Sequence, residues 1–337
     1  MQMMDVLLRR YFEQNDLRRE AVPFGLTNHS EFVYADGRKF VARLYDPFSK
    51  TKDKLHYEIE LTSFLKDAGL PFEVPGFMTS QSGDDFVELP DGRLGAVMTF
   101  IEGEVPDLSR GSDVKSYGET VGLLSSALAK FTRQPPQSVR FDRPFLLHPL
   151  GSEEAVRRFI DEPPFEVKSE GLKAFGRALE RLTDRAFELA GLPVQTIHHD
   201  LLIFNLLIDR PTRRMTGVLD FDLSAPDLRA FEPAVCLNHL LQFGDGSLDA
   251  AADFSEAYFR HATLSEAEIE QIPMLMELYY MALLCFYIGQ HQSGKSVVDP
   301  FRFILDQWLR RKDWLLRESG RLTDLLFRSA KAGEQAE

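Results

Sequence analysis

Apolar residues recur along this chain with two different periods, and the change of period divides it. Between residues 21 and 47 the runs are short, Glu31-Phe-Val-Tyr34 and Lys39-Phe-Val-Ala-Arg-Leu-Tyr45, separated by Ala35-Asp36-Gly37. Extended runs about an Asp-Gly pair predict a hairpin. Residues 4–14 predict a short amphipathic helix ahead of it. Residues 53–68 carry Leu61, Leu65 and Ala68 at helical spacing, with Glu58 on the same stripe. An inward-facing acid wants a cation, and Arg43, ending the strand Phe40–Arg43, is the natural one. Glu60, one face round, is the competing acid. Gly69-Leu-Pro71 stops the helix, and two strands follow at 85–89 and 94–101, turned by Pro90-Asp-Gly92.

Past Glu102-Gly103-Glu104-Val-Pro106 the pattern becomes helical, with helices predicted over 113–133, 152–161, 168–190, 233–243, 248–262, 265–291 and 300–328. The shift predicts an α+β, two-lobed chain: an N-terminal lobe over 1–102, a helical lobe over 103–330 and a frayed tail over 331–337. One stretch interrupts the helices. Leu206-Leu-Ile-Asp209 and Met215-Thr-Gly-Val-Leu219 flank the polar turn Arg210-Pro-Thr-Arg-Arg214 and read as a second hairpin. Asn205 and Asp220 lie at its open ends, and Asp200 on the loop just before it.

Composition narrows the function classes. Hydrophobic residues make up 44% and charged residues 27% of the 337, an ordinary globular balance. The net charge of −13 argues against a general nucleic-acid binder and is compatible with a cationic or zwitterionic substrate. Cys236 and Cys285 sit in apolar helical contexts, so neither a disulfide scaffold nor a zinc site is expected, and a reducing compartment fits. The first ten residues lack the apolar run of a signal peptide. No window reaches the roughly 18 consecutive apolar residues of a membrane span, so no membrane partner is expected and the cytoplasm is the expected location.

The candidate chemistry lies in His198-His199-Asp200, Asn205 and Asp220. Taken singly, each has a structural reading: a turn carboxylate, a hydrogen-bonded strand amide, a surface carboxylate. Taken together, they are three oxygen donors in the order that phosphoryl transfer uses, with one carboxylate for the acceptor hydroxyl and two ligands for a metal that bridges phosphates. The order H-x-D, Asn five residues on, then D-F matches the kinase catalytic loop and metal aspartate. Gly25 to Ser30 could fold backbone N–H groups over phosphates, although an ordinary hairpin loop explains it as well. Backbone groups of Met98 to Ile101, those of Met98, Phe100 and Ile101 among them, are expected to hydrogen-bond an adenine edge.

These motifs resemble the aminoglycoside phosphotransferase, choline kinase and homoserine kinase group, which shares the protein-kinase-like fold, and most of all its homoserine kinase type II branch. Gly25-Leu-Thr27-Asn28 with Phe32-Val, and Phe40-Val-Ala-Arg43-Leu-Tyr, are similar to that branch's opening hairpins. Gly69-Leu-Pro with Val74-Pro75 is similar to its helix exit, and Ile197-His-His-Asp200-Leu, Asn205 and Val218-Leu-Asp220-Phe to its catalytic and metal motifs. Asp227, Phe231-Glu232, Ala234 and Leu237-Asn238 echo its trailing pattern, and the resemblance covers about residues 20 to 240. It departs at His199, where a small residue is usual, at Leu202-Ile203-Phe204, where polar residues are usual, and at Glu232 in place of Asp.

The resemblance implies an ATP- and Mg²⁺-dependent kinase acting on a hydroxyl of a small polar metabolite, first a homoserine-like amino alcohol, second an aminoglycoside or sugar. It implies Asp200 as base or acceptor-orienting residue, Asn205 and Asp220 as metal ligands, and Arg43 with Glu58 as the phosphate-positioning pair. Gly25, Thr27, Asn28, Met98, Phe100 and Ile101 would complete the nucleotide site. Asp222, Asp227, Glu232 and Asn238 either bind the acceptor or cap helices and hold loops. A catalytically silent nucleotide-binding scaffold is the competing function. A protein kinase is disfavoured, because no stretch ending in Ala-Pro-Glu follows Asp220. The outer faces of the last helices stay open between a homodimer surface and solvent.

Overall fold

The computed structural model describes residues 2–13, 17–22, 28–47, 50–133, 140–243 and 247–335. The chain divides into two compact units, one of residues 1–105, 133–137 and 204–222, the other of 106–132, 138–203 and 223–337.

The first unit is built on an antiparallel five-stranded sheet of β1 (Arg18–Ala21), β2 (His29–Ala35), β3 (Arg38–Leu44), β4 (Val87–Glu88) and β5 (Leu94–Thr99), in the order β1-β2-β3-β5-β4. The β2–β3 turn is the Asp-Gly pair, with φ of +50° at Asp36 and +72° at Gly37, as a two-residue hairpin turn requires. Alternation along β3 sends Phe40, Ala42 and Leu44 into a cluster with Val33, Val97 and the short helix α1 (Met3–Leu8), through Met4, Leu7 and Leu8. Each large side chain so buried contributes about 1.5–3 kcal/mol. Ala96, which pairs with Arg43 across the β3–β5 ladder, clusters instead with Leu55 and Ile59 of α2 (Lys52–Asp67). The side-chain alternation of β3 therefore turns Arg43 away from the α1 face.

The predicted second hairpin forms from β7 (Leu206–Ile208) and β8 (Met215–Val218). It belongs to the first unit and not, as the linear pattern suggests, to the helical one. Glu104 and Ile208 exchange backbone hydrogen bonds of 3.0 and 2.8 Å, and Glu73 bonds to Thr216 O at 2.8 Å and Val218 N at 2.9 Å. These pairings are distant in sequence, which is why composition placed the boundary at 102/103 and the first segment of the unit runs to Val105.

The second unit is helical: α3 (Gly111–Leu128), α4 (Glu153–Asp161), α5 (Ser169–Asp184), α6 (Phe231–Phe243), α7 (Leu248–Tyr258), α8 (Glu266–Gln292) and α9 (Val298–Glu334), with β6 (Val194–Ile197) paired to β9 (Ala225–Leu228). Gly118 and Gly122, one turn apart on α3, let α7 approach closely. A Cβ at Gly118 would stand 2.1 Å from the Phe254 carbonyl oxygen, and one at Gly122 2.5 Å from that of Tyr258. Helix α8 begins in a capping box between Ser265 and Glu268. It is long and apolar enough to cross a membrane, yet 72% of its apolar window is buried inside the protein, as in a core helix. The expected frayed tail is a correction over residues 331–334: α9 continues to Glu334 with Ser329 and Gly333 buried, and a Cβ at Gly333 would stand 2.2 Å from the Phe259 carbonyl oxygen.

Candidate active site

In the first unit, hairpin closure fixes two of the expected ligands. Leu219 N donates to Asn205 O at 2.8 Å, one step beyond the last strand pair, Leu206 with Val218. Asn205 thereby faces Leu219, and Asp220 follows directly on the opposite strand. Asp220 takes φ +63°, a left-handed conformation that costs a non-glycine residue about 1–2 kcal/mol. Such strain persists where the surroundings impose it, and Asp220 is anchored by Arg43 Nη1 at 3.0 Å. Burial works against the Arg43 charge, but Asp220, Tyr45, Glu58 and Asp222 together outweigh it and hold the guanidinium above its ordinary value.

Glu58 faces inward as its stripe predicted, and is 3% exposed. Its ion-pair partner is a correction: Lys50 Nζ lies 2.7 Å from Glu58 Oε2, whereas the Arg43 fork is turned to Asp220. Lys50 also pairs with the Asp222 carboxylate and donates to the Asp222 carbonyl at 3.3 Å. Burial opposes its ammonium, but Asp222 and Glu58 together raise it to about 12. Glu58 itself is raised by burial, with Lys50 pulling the other way. Sequence reasoning missed Lys50 because it stands in Ser49-Lys50-Thr51-Lys52-Asp53-Lys54, which looks like a solvated helix entry. The available signal was the need of Glu58 for a buried cation.

Asn28 spends its amide within the fold, accepting from Asp46 N at 3.0 Å and donating to Asp222 Oδ2 at 2.9 Å. Gly25 and Thr27 lie outside the described residues. Met98 lies in β5 opposite Val41, and Phe100 and Ile101 follow the strand. Met98 and Ile101 are buried, while Phe100 stands edge-on to Phe32 at 5.5 Å.

In the second unit, the loop carrying Asp200 is held from both sides. Glu232 accepts from the backbone N–H of His198 and, at 3.2 Å, of His199. His198 Nδ1 accepts Asp200 N at 3.2 Å, so His198 braces the loop. Tyr117 donates its hydroxyl to Leu201 O on the far side. His199 takes φ +69°, where a small residue is easier, and its ring is fixed by Leu223 O at 3.0 Å, Asp227 Oδ2 at 2.9 Å and a stack on Phe141 at 4.8 Å. Asp227 also accepts Phe141 N at 2.6 Å. Asn238 donates to Met276 O at 2.7 Å.

Asp227, Glu232 and Asn238, expected either at the acceptor or in bracing roles, thus have buried internal partners, and Asp222 is tied to Lys50 and Asn28. Burial raises Glu232 to about 7, against the backbone N–H of His198. Phe141, which packs on His199, carried no signal in the sequence.

The chemistry of the donors suits magnesium. Among the described residues no three His, Cys, Asp or Glu side chains gather into a self-sufficient metal cage. One carboxylate and one amide completed by phosphate oxygens is how Mg²⁺ is commonly held.

A family model described as the phosphotransferase enzyme family matches residues 19–268. The chain belongs to this family. Its relatives include the homoserine kinase of Bradyrhizobium diazoefficiens, 28% identical over 264 residues covering 77% of this chain and 75% of the relative. The homoserine kinase of Rhodopseudomonas palustris strain HaA2 is 27% identical over 273 residues, 80% of this chain and 78% of the relative. Among solved structures, a microcompartment-associated aminopropanol kinase superposes with a TM-score of 0.74 at 17% identity, over 94% of this chain and 96% of that one. A choline kinase from Streptococcus pneumoniae gives 0.59 at 15% identity, over 89% and 94%. The protein-kinase-like fold expected from the motifs is the fold of this phosphotransferase.

Proposed function

We propose that this phosphotransferase moves the γ-phosphate of ATP, with Mg²⁺, to a hydroxyl of a small polar metabolite in the cytosol. Homoserine or a similar amino alcohol is the first acceptor class, and an aminoglycoside or sugar the second. Asp200 orients the acceptor hydroxyl and takes its proton. Asn205 and Asp220 hold the metal, whose charge neutralises the β- and γ-phosphates when it is bound. Arg43 reaches phosphate oxygens through its planar fork, and the backbone at Phe100 and Ile101, past the paired Met98 and Thr99, receives the adenine edge. Asp222, Asp227, Glu232 and Asn238 serve the framework, because their polar atoms have internal partners.

The observation that carries this reading is the 2.8 Å bond from Leu219 N to Asn205 O, which sets Asn205 against the residue before Asp220 at the open end of one hairpin. The homoserine kinases among its relatives support the first acceptor class. The test is coupled ADP release across amino alcohols, sugars and aminoglycosides, with Asp220→Asn as control. Acceptor-dependent release that disappears in the control is expected. Release no faster than the control with every acceptor would leave a nucleotide-binding scaffold as the better account.

A further inference from the structure

Lys50 stands outside every motif above, yet its side chain is among the most deeply buried charges of the first unit, 1% exposed between Glu58 at 4% and Asp222 at 13%. We propose that Lys50 is a positioning residue of the nucleotide site: it fixes Glu58 in place of the strand cation and, by gripping residue 222, sets the turn that presents Asp220 to metal-bound nucleotide. This rests on the reading of the site as an ATP- and Mg²⁺-binding one.

Three observations combine. The first is charge convergence. Lys50 Nζ stands in ion-pair contact with Glu58 Oε2 at 2.7 Å and with the Asp222 carboxylate, and donates to Asp222 O at 3.3 Å. A compact point charge fits this convergence and a planar fork does not. The second is division of labour. Arg43, on the strand, is turned to Asp220 at 3.0 Å, so the two cations serve different carboxylates. Arg43 remains on the metal-ligand side, while Lys50 joins helix α2 to the turn at 221–223.

The third is strain. Asp220 holds φ +63°, and Lys50 bonds both the carbonyl and the carboxylate of the residue two positions later. Asn28 takes the other Asp222 oxygen at 2.9 Å. Residue 222 is thus held on three sides, which restricts how the backbone leaves Asp220. Two cations, Arg43 and Lys50, face three carboxylates, Glu58, Asp220 and Asp222, leaving one net negative charge to receive a cation. Lys54 also lies near, its ammonium lowered by burial and by Lys50.

Removal of Lys50 alone strands two buried carboxylates and endangers folding. The informative variant is therefore Lys50→Met/Glu58→Gln, which keeps the net charge of the cluster and cuts the tie to Asp222. Melting temperature and equilibrium binding of a fluorescent ATP analogue are measured while Mg²⁺ is titrated. The expected result is a melting temperature near the parent's with the half-saturating Mg²⁺ raised about tenfold, the scale of one lost charge-assisted hydrogen bond. Lys50→Arg, which keeps the charge but not the shape, is expected to fold and to raise it about fivefold, part of the same loss. A parental Mg²⁺ requirement in either folded variant overturns the proposal and makes Lys50 a structural ion pair only. A parent that binds no nucleotide at any Mg²⁺ concentration overturns the functional reading, and this proposal with it.

Discussion

Both units gather carboxylates beside the residues of their motifs, and they neutralise them by different means. In the first, Glu58, Asp220 and Asp222 are met by the side-chain cations Lys50 and Arg43. In the second, Glu232 is met chiefly by backbone N–H groups, and Asp227 by the N–H groups of Phe141 and Leu228 and the His199 ring, with Arg140 farther off at 3.7 Å. Charge against charge leaves a cluster that can exchange one cation for another, as handling of metal and phosphate requires. Carboxylate against backbone N–H fixes the path of a loop. On the proposed reading, the first arrangement suits ligand exchange and the second the holding of the Asp200 side chain at one angle.

The sharpest test of this contrast is Asp200→Ala. Loss of a positioned acid–base group lowers turnover by about 10²–10⁴, and nucleotide binding, assigned to the other unit, should stay at the parent's affinity. Titration of an ATP analogue beside steady-state rates checks it, and equal turnover by variant and parent would break the assignment.

A smaller effect separates the two kinds of neutralisation by pH. Glu232 has its folded value raised to about 7 from an ordinary 4.5, so its folded state holds the proton more tightly. The stability this lends is complete below about pH 4.5 and is lost as pH rises to about 7, a change of about 3 kcal/mol. His239, lowered to about 4 by burial, works in the other direction, losing stability as pH falls from about 6.5 towards 4. In the parent the two slopes oppose each other. Glu232→Gln should unmask the His239 slope, giving a protein that gains stability relative to the parent as pH rises from 5 to 7. Urea unfolding across that range measures it, and a pH-independent difference would remove Glu232 from the account.

The smallest expected effect lies away from both clusters. Gly118→Ala forces a methyl against the Phe254 carbonyl, and overpacking of this kind costs about 1–3 kcal/mol. Since the strain falls on the α3–α7 contact of the second unit, melting temperature should drop while the affinity for nucleotide stays unchanged. Loss of affinity in the same variant would show the two units to be less separable than their carboxylates suggest.

How much of this could be read in the letters differs by residue. The second hairpin was legible because a Pro-containing polar turn lies between two short apolar runs, and both are local features. The inward face of Glu58 was legible from helical spacing alone. Its partner was not. Arg43 and Lys50 both lie within a few residues of the strand end, and only the packed structure turns the first to Asp220 and the second to Glu58. His199 was conspicuous as a departure from a small residue, but its ring had no visible purpose until Leu223 O and Asp227 were seen on either side of it.

The sequence by itself determined the strand-rich beginning, the helical remainder, and the order Asp200, Asn205, Asp220, because periodicity, turn chemistry and spacing act over a few residues at a time. Tertiary structure alone decided that the hairpin joins the sheet-bearing unit, that α9 continues to Glu334 into the expected tail, and which cation answers which carboxylate. Those are matters of long-range pairing and burial, in which a buried charge takes the counter-charge that packing brings within reach, wherever it stands in the chain.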